Sequence, residues 1–222
     1  MIITVDGPAG AGKSTIAKLL AEKLNFLYVD SGAMYRALTL KAENQNMDYA
    51  DVASLVEMAK NTKIVLKKNQ QGKTIVILDG VDVSDAVRDP VITNAVFKVA
   101  RIPEIRQIMV ACQREYSNNH SIVMEGRDIG TVVFPNAQRK FYLDASTEIR
   151  AKRRMNELKA KGINLDLDQV MKQIKDRDHK DQTRACGPLR MAGDAIHIDS
   201  SALDIPGVVN AMLKYLKDDY EK

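Results

Sequence analysis

The chain has 222 residues, 45% of them apolar and 28% charged, which excludes a disordered or fibrous chain and leaves ample length for a core without disulfide or metal staples. Its formal net charge of +4 suits a small anionic substrate and is too slight to mark a nucleic-acid-binding surface. Cys112 and Cys186 lie far apart with no metal-ligand spacing, no leader pattern opens the chain, and no apolar run reaches the roughly 18 residues of a membrane span. A cytoplasmic protein with reduced thiols, no nucleic-acid partner and no membrane contact is expected. Ile2 to Asp6 is a β-branched apolar run that reads as a buried strand. It breaks into a glycine-rich turn, after which Ile16, Leu19, Leu20 and Leu24 recur at helical spacing. Phe26 to Asp30 is a second strand, and Ala33 to Lys41 a second helix.

The middle of the chain changes rhythm. Lys63 to Lys67 and Thr74 to Leu78 are strand-like, joined by a polar turn containing Gly72. Asp79-Gly80 is a two-residue hairpin signal leading into Val81 to Val83. A three-stranded antiparallel meander inside a β/α chain reads as an insertion. The β/α alternation then resumes. Pro103 to Tyr116 is a helix, and Ser121 to Glu125 and Lys140 to Asp144 are strands. Ser146 caps a basic helix running to about Lys161, which Gly162 ends, and Leu167 to His179 follows as another helix. Ala195 to Asp199 is the last strand and Pro206 to Leu216 the last helix. This order predicts an α/β fold, a parallel sheet flanked by helices.

Gly7-Pro8-Ala9-Gly10-Ala11-Gly12-Lys13-Ser14 fits G-x-x-x-x-G-K-[ST] in full, between a predicted strand and a predicted helix. Such a loop curls its N–H groups around phosphate oxygens, aided by the positive end of the helix behind it. Lys13 can reach the β- and γ-phosphates of a nucleotide, and the Ser14 hydroxyl is the expected ligand of Mg²⁺.

A phosphate loop alone does not separate a kinase from a GTPase, a motor or a nucleotide switch. No Asn-Lys-x-Asp guanine-reading run is present. Arginines instead gather late in the chain. Arg150, Arg153 and Arg154 lie on the basic helix, and Arg177, Asp181 and Arg184 share one helical face if that helix continues. Guanidinium forks suit the charge spread over a transferring phosphoryl group, although a solvated charged face is the plainer reading of the first three. His120, His179 and His197 belong to no recognisable triad. An acceptor that is already anionic needs no general base, which favours a phosphate over a hydroxyl acceptor and leaves an aspartate base open.

Four segments in order resemble the bacterial cytidylate kinase family: Asp6 to Thr15, Asp30-Ser-Gly-Ala-Met-Tyr-Arg36, Glu125-Gly-Arg-Asp-Ile-Gly-Thr-Val-Val-Phe-Pro135, and Arg177 to Arg184 with Pro188-Leu189 behind it. The resemblance implies a nucleoside-monophosphate-kinase-like fold with a small antiparallel β insertion and a helical lid. Its parts would be a core of residues 1–40, 100–146 and 190–222, a monophosphate-binding insertion at about 41–99 and a lid at about 147–189. It implies a monomer that transfers the γ-phosphoryl group of Mg-ATP to CMP or dCMP. Gly7 to Thr15, with Arg153 and Arg154, would bind ATP. Ser31 and Asp128 would read the cytosine edge, with Arg106 in the same site and Tyr35 lining it. Arg36, Arg127 and Arg184 would hold the acceptor phosphate, and Arg177 and Asp181 would lie near the sugar. Lys13, Arg127, Arg177 and Arg184 would carry the catalysis. Phe97 stands where some members have a serine that reaches the ribose, which puts the choice of sugar in question. Another small-molecule kinase, acting on UMP or a metabolite hydroxyl, and a non-catalytic nucleotide switch are the competing readings.

Overall fold

A computed structural model describes residues 1–70, 72, 74–160 and 162–220. Lys161, the expected end of the basic helix, lies outside the described residues. The chain divides into two compact units, one of Met1–Tyr28 with His120–Lys222 and one of Val29–Asn119.

The first unit opens with β1 (Ile2–Asp6), α1 (Lys13–Leu24) and β2 (Leu27–Asp30), and the chain leaves it partway along β2. The second unit contains α2 (Ser31–Asn44), α3 (Val52–Lys60), the strands β3 (Ile64–Lys68), β4 (Thr74–Leu78) and β5 (Val81–Asp82), then α4 (Pro90–Ala100) and α5 (Pro103–Glu115). The three strands form the expected antiparallel meander in the order β3-β4-β5. Asp79 and Gly80 both take positive φ, 49° and 90°, as a type I′ hairpin turn requires. Tyr116 accepts the Leu66 N–H at 2.7 Å through its hydroxyl, fastening β3 to the end of α5. Sequence reading passed over α3 and α4. Each carries a start signal: Asp51 and Asp89 accept first-turn N–H groups, and Pro90 sits in the first turn of α4.

The returning chain supplies β6 (Ile122–Gly126), a π-helical turn (Ile129–Val133), β7 (Arg139–Asp144), α6 (Thr147–Ala160), α7 (Leu167–Thr183), β8 (Ile196–Asp199) and α8 (Ile205–Tyr220). The five-stranded sheet has the order β2-β6-β1-β7-β8, with β1 parallel to β6 and β7, and β7 parallel to β8. Its central strands are hydrophobic on both faces because helices cover both. Ile3, Val5, Val123, Phe141 and Leu143 pack with Ile16 and Leu20 of α1 and Val209 and Met212 of α8. Burying each such side chain contributes on the order of 1.5–3 kcal/mol. The helices α6 and α7 carry a small core of their own, built on Ala151, Leu158, Val170 and Ile174. Ser146 caps α6 by accepting the Ile149 N–H at 3.3 Å, and Asp166 and Gln169 form a reciprocal capping box on α7.

Candidate active site

The glycine loop leaves the carboxyl end of the central strand β1, the edge at which open α/β sheets bind ligands. Gly7 passes so close to β7 that a Cβ on it would stand 2.0 Å from the Leu143 carbonyl oxygen. Gly12 is the N-cap of α1 with φ 91°, a left-handed conformation that glycine adopts freely. No side chain caps that helix end. Its first-turn N–H groups therefore remain available to an anion.

Lys13 is buried, and its Nζ donates to the Pro8 carbonyl at 2.7 Å, curling the side chain over the loop. Burial, with repulsion from Arg127 behind it, lowers the ammonium to about 7. A nearby polyphosphate would reverse that shift, because opposite charge favours the protonated form.

One residue before the loop, Asp6 is also buried. Its carboxylate accepts the Ile129 N–H at 2.9 Å and the Gly130 N–H at 2.7 Å. Burial raises this carboxyl to about 6 against the lowering effect of those two bonds. The bonds seat the π-helical turn directly after Arg127-Asp128. Asp6 is in register with Gly126 across the β1–β6 pair, so the glycine loop and the Arg127-Asp128 corner leave adjacent strands side by side.

The residues expected to act from the lid meet this corner. Arg127 Nε donates to Asp181 at 2.8 Å, and Arg184 Nη2 donates to Asp128 at 3.3 Å with both side chains almost fully buried. Burial alone would raise the Asp181 carboxyl, and the Arg127 and Arg177 guanidiniums outweigh it and hold the group below its ordinary value. Arg177 and Asp181 also bear on the Lys13 ammonium, the first lowering and the second raising it. Lys13, Arg127, Arg177 and Asp181 thus form one electrostatic cluster, with the Arg184–Asp128 pair beside it.

The arginines of α6 separate by role. Arg150 is buried and donates to the carbonyls of Ala145 and Ala9 and to Asp178 of α7. Arg153 donates to the Ala11 carbonyl at 3.3 Å and to Ser200 through both its hydroxyl and carbonyl oxygens. Arg154 donates to Glu157 on its own helix at 2.9 Å. Asp178 and Ser200, both in contact with the loop or its supports, were not singled out from sequence. Asp178 directly follows Arg177, and no spacing rule separates it from a surface carboxylate.

The other expected acceptor residues belong to the second unit. Ser31 is buried at the first turn of α2, whose N-cap Asp30 accepts the Ala33 N–H at 2.7 Å. Arg36 pairs with Asp30 at 3.2 Å, and the Arg106 guanidinium lies 5.6 Å from the centre of the Tyr35 ring.

For a magnesium ion the donor set fits a nucleotide-borne site. Ser14 presents an exposed hydroxyl oxygen in the first turn of α1. Among the described residues no group of three or more histidine, cysteine or carboxylate side chains could enclose a metal. Mg²⁺ keeps its waters and binds chiefly through substrate phosphates, so one hydroxyl suffices. No helix among the described residues is long and apolar enough to cross a membrane.

A parallel sheet with a glycine loop at the end of its central strand, a buried lysine and converging arginines defines the class of P-loop phosphotransferases. A family model described as Cytidylate kinase matches residues 3–218, and the chain belongs to the cytidylate kinase family. A cytidylate kinase from Desulforamulus reducens is 49% identical over 97% of this chain and 96% of its own length. One from Pelotomaculum thermopropionicum is 48% identical over 95% and 93%, respectively. The fold is also similar to that of an uncharacterized protein from Eubacterium ventriosum, with a TM-score of 0.53, 15% identity and 98% of each chain covered. The cytidylate kinase relatives lend no support to the readings as a UMP kinase, a hydroxyl kinase or a switch.

Proposed function

We propose that this chain transfers the γ-phosphoryl group of ATP to CMP or dCMP, releasing ADP and CDP or dCDP. The observation that carries the reading is the Asp6 carboxylate, which seats the Arg127-Asp128 corner beside the phosphate loop. Family membership supports the acceptor.

The acceptor's phosphate oxygen attacks the γ-phosphorus in line, and no proton need be removed first. The loop amides and Lys13 hold the β- and γ-phosphates. Ser14, with the phosphates themselves, would hold Mg²⁺, which would supply neutralising charge to the nucleotide. Arg127, Arg177 and Arg184 oppose the charge that spreads over the transferring group. Asp128 accepts from the cytosine amino group. Uracil has an oxygen there, which offers the buried carboxylate no proton and sets two acceptors against each other. Ser31, Tyr35, Arg36 and Arg106 take their acceptor-binding roles from the family resemblance, as does the sugar-side role of Arg177 and Asp181. Arg153 supports the ATP side. The helices α6 and α7 act as a lid that excludes water from the transfer. The protein works as a cytoplasmic monomer.

ADP formation from Mg-ATP, measured with CMP, dCMP, UMP, AMP and GMP supplied separately, tests this. Stimulation by CMP or dCMP alone supports it, and silence with all five overturns it.

A further inference from the structure

We infer that Asp178, with Arg150, is a positioning residue for ATP: the pair clamps the Ala9 peptide and thereby sets the curl of the phosphate loop. The two residues lie on different helices, α7 and α6, yet they meet the same loop residue from both sides. Asp178 Oδ1 accepts the Ala9 N–H at 3.2 Å, and Arg150 Nη1 donates to the Ala9 carbonyl at 3.0 Å. The same Arg150 Nη1 donates to Asp178 Oδ2 at 2.6 Å, which closes the clamp. Arg150 is held from behind by the Ala145 carbonyl at 2.9 Å and Thr147 Oγ1 at 3.2 Å. Both side chains are buried, so the charged pair is shielded from solvent and geometrically constrained.

Two consequences follow. Ala9 spends its own N–H on Asp178, so the amides that cradle phosphate begin at Gly10. Fixing both polar groups of Ala9 also fixes the direction from which the chain enters Gly10 to Lys13, where sub-ångström placement of amides decides phosphate affinity. The clamp further ties the roots of both lid helices to the loop. Lid motion is then confined to the part of α6 and α7 beyond Arg150 and Asp178.

The inference rests on the ATP-binding reading but not on the identity of the acceptor, so its primary readout is Mg-ATP binding. Calorimetric titration of Mg-ATP into the full chain and its Asp178→Ala, Asp178→Asn and Arg150→Lys variants reads the clamp directly. Asp178→Ala is expected to weaken Mg-ATP binding by about tenfold to a hundredfold, the usual range for a lost charge-assisted bond. Asp178→Asn, which keeps an oxygen for the Ala9 N–H, should recover part of that loss. In the same samples CMP affinity should stay within about twofold, a split that mere loosening of the fold would not produce. On adding Mg-ATP to isotope-labelled parent protein, the Gly10 and Gly12 amide resonances should move far more than that of Ala9. Unchanged Mg-ATP affinity in the Asp178 variants, a parallel loss of ATP and CMP affinity, or a large shift of the Ala9 amide would each overturn the inference. If Asp178→Ala does not fold, Asp178→Asn and Arg150→Lys decide by the same criteria. Absence of CMP turnover in the parent would defeat the proposed function and leave this test standing.

Discussion

Asp6 Oδ2 accepts the Gly130 N–H at 2.7 Å. This bond joins the last residue before the phosphate loop to the turn that follows Arg127-Asp128. The approach leaves no space at Gly130. A Cβ there would stand 2.9 Å from Thr4 Oγ1, 3.2 Å from Lys140 Cδ and 3.3 Å from Asp6 Oδ2. Thr4 is a fully buried strand residue and cannot swing aside. Gly130→Ala should therefore cost about 1–3 kcal/mol of stability, as overpacking of a filled interior does. A drop in the urea midpoint with an unchanged slope is the expected result, and an unaltered midpoint would show that the turn can give.

Burial holds the Lys13 ammonium at about 7, against an ordinary value of 10.5. Between those two values the unfolded chain binds more protons than the folded one, so the lysine's contribution makes stability rise with pH. Relative to Lys13→Met, the parent should gain on the order of 2 kcal/mol from about pH 7 to about pH 9. Parallel pH profiles of the urea midpoint for the two proteins would contradict the shift. The phosphates of ATP should draw a proton back onto the amine. Titration of Mg-ATP near pH 8 in buffers of different ionisation enthalpy should then show proton uptake that Lys13→Met lacks.

Asp128 is buried and paired with Arg184 at 3.3 Å. Asp128→Ala should lower kcat/KM for CMP by about tenfold to a hundredfold, the penalty for losing one buried hydrogen-bonding partner. The effect on UMP should be smaller, so the ratio of the two specificity constants narrows. Equal losses for both acceptors would remove Asp128 from base recognition.

Arg153 and Arg154 are adjacent in sequence and face different partners. Arg153→Ala removes hydrogen bonds to the Ala11 carbonyl and to Ser200, and should raise the KM for ATP about tenfold. Arg154 has an exposed partner on its own helix, Glu157. Arg154→Ala should change stability by less than about 1 kcal/mol and the KM for ATP by less than about twofold. A larger rise for Arg154→Ala than for Arg153→Ala would reverse this assignment.

The alternating β/α order, the meander and the phosphate loop were legible because each rests on local rules. The period of apolar residues, the Asp79-Gly80 turn and the glycines before Lys13 act within a few residues of themselves. The helices α3 and α4 are less legible even though their capping aspartates are equally local, because each is short, nine and eleven residues, and offers few turns over which an apolar period can repeat. The Arg127-Asp128 corner was found through a sequence signature. Nothing in that signature says that Asp6, more than a hundred residues earlier, seats it.

By itself, then, the order of residues determined the class of fold, the place of the phosphate loop and the family. Only the tertiary structure decided which charged residues serve as braces and which face the site. Arg150, Arg153 and Arg154 are alike in a helical pattern, and the structure gives them a buried brace to Ala9 and Asp178, a link to Ala11 and Ser200, and a surface pair with Glu157. The physical reason is that a charge acquires its role from its desolvation and its partners. Both depend on segments that folding brings together from far apart in the chain.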